Sequence, residues 1–132
     1  MPADADGSAA PLAIGIGCRR GVTLAQLEAA VQAALGDWPI ARVAAVATLA
    51  AKAGEPALRE FCAAHALALA AFTREQIDAM PALSPPSLAA RARHGVDGVC
   101  EPCARLAANG GPLVRGKLAL DGVTVAIALK LT

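Results

Sequence analysis

A three-layer α/β/α sandwich is predicted around a mixed sheet of about five strands, the early strands parallel and a C-terminal antiparallel hairpin closing the chain. Three features carry that prediction. Short apolar runs of strand length alternate with amphipathic helical segments through the first half of the sequence. The run Ala41–Leu49 is apolar almost throughout, as a strand covered on both faces should be. Asp121-Gly122 separates two further strand-like runs and is a dipeptide favoured in two-residue hairpins.

The elements follow in order. Residues 1–10 (MPADADGSAA) are expected to form a disordered tail, acidic and without the basic-then-apolar order of a secretory signal, and residues 11–132 a single α/β domain. Leu12, Ile14 and Ile16 alternate with Ala13, Gly15 and Gly17, a strand with one nearly bare face that a helix or a ligand can approach closely. Thr23 and Gln26 have capping-box spacing, Leu24, Leu27, Val31, Ala34 and Leu35 make the apolar stripe of the helix they open, and Gly36 stops it. The second strand is ARVAAVATL. A helix is expected from Pro56, which suits a first turn, to His65, and LALAAF is a third, short strand. Thr73 and Gln76 repeat the capping-box spacing for a brief helix ended by Pro81. PALSPPS reads as a loop, with Ser87 capping a short helix through Arg93. GVCEPCARLAANGG reads as a helix closing at Asn109-Gly110, and the last two strands follow, with Val123, Val125, Ile127 and Leu129 on one face.

Composition excludes several functions. Apolar residues make up 56% of 132, but aromatics only 2%, so the core must be built from Ala, Val, Leu and Ile. No stretch is long and uninterrupted enough to cross a membrane, and a cytoplasmic location is expected. A net charge of +1, with no Tyr and one Trp, argues against a nucleic-acid binder, so recognition of an anion must be local. Four cysteines without an export signal are expected to be reduced thiols.

Within the first strand and its sequel, AIGIGCRRGVTLAQL places two arginines after glycine and cysteine and before a helix. Gly15, Gly17 and Gly21 give GxGxxxG rather than the dinucleotide fingerprint, and no acidic residue ends the second strand to hold a ribose. Ligands of open α/β sheets sit at the carboxyl ends of strands, where Cys18, Arg19 and Arg20 follow the first strand and Thr48 and Lys52 end or follow the second. Arginine forks match carboxylates or phosphates, and a helix N-terminus favours anions. The candidate binding set is therefore Gly15, Gly17, Cys18, Arg19, Arg20, Thr48, Lys52, Ser84, Ser87 and Lys117, with Arg91 a further candidate, no metal ligands and no cofactor. Solvated surface charge is the plainer reading of each cation taken singly.

Other constellations are weaker. Cys100-Glu101-Pro102-Cys103 has CxxC spacing, but one such pair supplies two metal ligands where structural zinc wants four, and two ordinary thiols on an Ala-rich helix is the favoured reading. His65 shares a helix face with Leu58, Phe61 and Cys62 and is expected to be packed, while His94 is expected in a cap or loop. Glu55 is the one carboxylate near the proposed edge in sequence, which favours binding over hydrolysis.

The chain resembles the cobalamin-biosynthesis family of CobE and the CbiG C-terminal domain. GIGCRRGV at Gly15–Val22, ATLAAKAGEPAL at Ala47–Leu58, F-x-x-E-x-I at Phe72–Ile77, the Ser-Pro loop, and Lys117 with GVTVAIA at Gly122–Ala128 carry the likeness. The resemblance implies a role in corrin-ring assembly, in the aerobic branch where the domain stands alone. It also implies a carboxylate-rich precorrin or corrinoid ligand, with other enzymes of the pathway as partners. Family members that open a lactone and release a two-carbon aldehyde carry an additional N-terminal domain, so an accessory or carrier protein is expected here. The alternatives are a precorrin lactone hydrolase using Glu55 or a bound water as base, and a thiol-redox or metal module using Cys100 and Cys103.

Overall fold

A computed structural model describes residues 10–79 and 99–131. Residues 1–9 of the tail expected over 1–10, the expected stop at Pro81, the Ser84 and Ser87 loop, the helix through Arg93, Arg91 and His94 lie outside the described residues.

β1 (Leu12–Cys18) leads to α1 (Leu24–Leu35), and a 3₁₀ turn (Ile40–Arg42) enters β2 (Val43–Leu49). A second 3₁₀ turn (Ala50–Lys52) precedes α2 (Pro56–Ala64), β3 (Leu69–Phe72) and α3 (Arg74–Asp78). The chain then runs through α4 (Cys100–Ala107), β4 (Leu113–Leu120) and β5 (Val123–Leu129). The strand order is β3-β2-β1-β5-β4, with β1, β2 and β3 parallel and β5 antiparallel to both neighbours. This is the mixed sheet expected from the sequence.

The two faces of β1 explain the layers. Leu12, Ile14 and Ile16 join Val46, Val123, Val125 and Ile127 under α1 and α2, whose Leu27, Val31, Leu35, Leu58 and Phe61 complete a large, mostly aliphatic core. The other face carries Ala13, Ala47, Ala126 and Ala128, so α4 lies close with Cys100, Cys103, Ala104 and Ala107 inward, and Ile77 of α3 joins it. One core is bulky, the other thin and small-residue. Helix α4 comes nearest at Gly15: a Cβ there would overlap the Cys100 carbonyl oxygen and lie 2.5 Å from Ala104 N.

Local signals act as read. Thr23 and Thr73 both make full capping boxes, each hydroxyl accepting from the glutamine N–H three residues on. Asp121 (φ 51°) and Gly122 (φ 82°) make a two-residue turn with both residues left-handed, the geometry that favours Asp-Gly. The third strand is shorter than LALAAF, because Ala66 (φ 56°) and the Leu67 N–H bond to the Cys62 carbonyl still belong to the end of α2. Far from the strand carboxyl ends, the guanidinium groups of Arg42 and Arg115 each lie over the Trp38 ring, 5.8 and 5.0 Å from its centroid. Arg42 also donates to the Ala10 carbonyl and Arg115 to the Ala34 carbonyl. The edge strand β4 shifts register twice against β5, and its Lys117 N–H donates to the Glu101 carboxylate.

Candidate functional site

A cavity of about 580 Å³ opens where β1 and β2 end. Parallel strands bring their carboxyl ends to one edge, and the antiparallel β5 brings its N-terminus there too. Gly17 and Cys18 of β1 and Thr48 and Leu49 of β2 line it, and the β4–β5 turn adds Ala119, Gly122, Val123 and Thr124. Val99, just before α4, closes one side. Around these apolar walls stand Arg19, Arg20, Lys52 and Arg74, and the described lining contains no acidic residue.

The arginine pair is presented by a tight turn. Arg19 N–H donates to the Gly122 carbonyl at 3.1 Å and Val22 N–H to the Arg19 carbonyl at 3.4 Å. Gly21 takes φ 84°, which a β-turn accepts at its third position only with glycine or asparagine at little strain. Gly21 N–H donates to Glu55 Oε2 at 2.9 Å, tying the turn to the start of α2. The Arg19 guanidinium lies over Gly122, where an added Cβ would sit 2.7 Å from one of its terminal nitrogens. Arg19 and Arg20 are solvent-exposed, and among the described residues no side-chain hydrogen bond or ion pair engages either of them or Lys52.

The hydroxyls inside are committed to the backbone. Thr48 is fully buried and donates to the Ile16 carbonyl at 2.7 Å, and Thr124 donates to the Gly17 carbonyl at 3.3 Å. Burial raises the Cys18 thiol above its ordinary pKa, the Glu55 carboxylate adds to that rise, and Lys52 opposes it. Cys18 is thus held as a neutral thiol in the cavity wall.

The structure gathers Gly17, Cys18, Arg19, Arg20, Thr48 and Lys52 at this cavity. Two others lie apart. Gly15, expected to receive a helix or a ligand, receives the helix: α4 backbone fills the space above it. Lys117 is not among the residues that line the cavity; its backbone N–H donates to Glu101 of α4, at a stretch of β4 where the register shifts. Ser84 and Ser87 lie outside the described residues. Arg74 and Thr124 were missed, although Arg74 follows the carboxyl end of β3, where the strand-end rule applies equally.

The cysteine pair has the properties of core. All four cysteines are free and buried. Burial pushes Cys100 up to about 11 and Cys103 up to about 12, with the Thr124 hydroxyl partly offsetting the rise at Cys100 and the neighbouring Cys100 adding to it at Cys103. A thiolate nucleophile or metal ligand needs the opposite shift. Among the described residues no cluster of three or more His, Cys, Asp or Glu is placed to hold a metal ion. His65 packs on Phe61 with ring centroids 4.7 Å apart and meets the Glu28 carboxylate at 3.0 Å. It is the packed histidine that its helix face suggested. No helix among the described residues is long and apolar enough to cross a membrane.

Comparison with known proteins identifies the family and the fold. The family model described as cobalamin synthesis G C-terminus matches residues 12–128. A cobalt-precorrin-5A hydrolase from Priestia megaterium is 28% identical over 120 residues, which are 89% of this chain and 32% of that protein. The chain therefore spans about a third of the length of that relative. The crystal structure of CobE, a protein from the cobalamin (vitamin B12) biosynthetic pathway, superposes with a TM-score of 0.77 at 30% identity, covering 93% of this chain and 92% of that one. Cobalamin biosynthesis protein chiG from Agrobacterium tumefaciens superposes at 0.71 with 33% identity, covering 92% and 99%. A cobalamin biosynthesis protein G homologue from Sulfolobus solfataricus, at 21% identity and a TM-score of 0.70 over 92% of this chain and 37% of that one, shares the fold. The likeness drawn from GIGCRRGV, ATLAAKAGEPAL and GVTVAIA holds across the folded chain. The chain belongs to the cobalamin synthesis G C-terminus family, as a cobalamin biosynthesis protein of the CobE/CbiG type.

Proposed function

We propose that this chain binds a carboxylate-rich precorrin or corrinoid intermediate in the strand-end cavity and acts as an accessory or carrier protein. One observation carries the reading: four cations stand around an apolar-walled cavity whose described lining has no acidic residue. A corrin-type macrocycle pairs an apolar ring with several acetate and propionate arms. Leu49, Val99, Ala119 and Val123 suit the ring, and the guanidinium forks suit the arms. A volume of about 580 Å³ falls within the range of ligand sites.

Titration with hydrogenobyrinic acid tests the reading. Each rim contact is worth about 0.5–1 kcal/mol while solvent screens it, so Arg19→Ala with Arg20→Ala weakens binding about 5- to 30-fold. Added salt weakens the wild type more than the double variant. Unchanged affinity in that variant, or no binding by the wild type, refutes the proposal.

A second reading, lactone opening on a precorrin, is favoured by the hydrolase among the relatives. Its candidate base is Glu55, whose carboxylate already accepts the Gly21 N–H and which is not among the lining residues. That engagement supports binding over hydrolysis. Turnover of the lactone intermediate with release of an aldehyde by the pure protein would reverse the preference.

A further inference from the structure

Glu55 follows the cavity residue Lys52 by three positions, yet the site as described uses only cations. We infer that Glu55 is a positioning residue: it clasps the arginine turn in the shape that aims Arg19 and Arg20 over the cavity. This inference rests on the anion-binding reading of the site.

The argument starts from the turn itself. Arg19–Val22 closes with a 3.4 Å hydrogen bond, long for an N–H···O contact, and its third residue has a left-handed φ. Glycine has more backbone freedom than any other residue, so this turn loses more entropy on ordering than most. One end is held by Arg19 N–H on the Gly122 carbonyl. The other is held by Gly21 N–H on Glu55 Oε2 at 2.9 Å, across 34 residues of sequence. A charged acceptor makes this the stronger kind of bond. Glu55 gives no side-chain cap to α2, although it occupies the N-cap position. Its side chain is directed instead to the arginine turn, which a purely helix-capping role does not require.

Position and charge act in opposite directions here. The clasp orders two cations, while the carboxylate itself lowers the positive potential of the site, as its upward push on the Cys18 thiol shows. Glu55→Gln keeps an oxygen that accepts from Gly21 N–H and removes the charge. Glu55→Ser is a favoured helix N-cap but too short to reach Gly21, so it removes the clasp without weakening α2.

The experiment measures hydrogenobyrinic acid affinity and Gly21 amide exchange in wild type, Glu55→Gln and Glu55→Ser, with thermal melts alongside. The expected result is affinity in Glu55→Gln equal to wild type or up to several-fold tighter, with Gly21 still protected. Glu55→Ser is expected to lose protection at Gly21 and to bind about tenfold more weakly while melting within a few degrees of wild type. Equal affinity in Glu55→Ser and wild type overturns the inference, as does equal loss in both variants. Should Glu55→Ser fail to fold, loss of binding in the folded Glu55→Gln while Gly21 stays protected overturns it equally. No binding by the wild type refutes the anion-site reading instead, and Gly21 exchange then still decides whether the clasp exists.

Discussion

Replacing Gly15 by alanine separates two roles that the strand pattern left open. The added Cβ lies 2.5 Å from Ala104 N and overlaps the Cys100 carbonyl oxygen, both backbone atoms of α4. Ordinary contact begins at 3.4 Å, so relief at Ala104 alone moves the helix or strand by about 0.9 Å. No side chain can rotate away. Overpacking of this kind costs about 1–3 kcal/mol, with rigid backbone on both sides favouring the upper end. Loss of glycine freedom in the unfolded chain returns about 0.4–1 kcal/mol. The net loss is about 2 kcal/mol, or a fall of about 6–10 °C in melting temperature for a chain of this size. Gly54→Ala is the control, since nothing lies within 4 Å of its Cβ and its φ is not positive; its melting temperature should hold or rise slightly. Thermal melts followed by circular dichroism read both. If Gly15→Ala melts as high as wild type yet loses hydrogenobyrinic acid binding, Gly15 faces the ligand and the packing argument is wrong.

Other outcomes are equally definite. Thr48→Val strips the Ile16 carbonyl of its buried donor and should destabilise the fold by about 1–2 kcal/mol, read as a lower urea midpoint at unchanged slope. Cys100 and Cys103 should resist alkylation at pH 8 in the native protein and react once it is unfolded in urea; rapid native labelling would revive the thiol reading. Their native pKa values lie above the ordinary 9.0, so the fold holds these protons more tightly than the unfolded chain. That stabilisation is complete below about pH 9 and is lost as pH rises towards about 11 for Cys100 and about 12 for Cys103. Urea midpoints from pH 8 to 11 should fall less steeply in Cys103→Ala.

What the sequence revealed is what is local. Capping boxes at Thr23 and Thr73, the stop at Gly36 and the Asp121-Gly122 turn each depend on a few neighbouring residues, and all form. The strand-end rule also found most of the basic rim, because parallel strands place their carboxyl ends together whatever the details of packing. Register was harder. Gly15 and Gly17 share a strand face two residues apart, and only the placement of α4 decides which one is covered and which lines the cavity. Thr124 reaches the site because β5 runs antiparallel to β1, with Thr124 opposite Gly17, a pairing no short-range pattern encodes. Lys117 follows the same lesson, since it lies between Arg115 and Leu118, where the register of β4 against β5 shifts.

The lone indole has a practical value. With one Trp and no Tyr in 132 residues, ultraviolet emission excited at long wavelength comes from Trp38 alone. That ring is gripped at the end where β1 and β2 begin, seven-residue strands away from the cavity, a separation of about 20 Å along the sheet. Its colour should therefore register unfolding and ignore occupancy, while a light-absorbing macrocycle seated at the opposite end dims it through space. A single cuvette thus yields two independent signals from an unlabelled molecule.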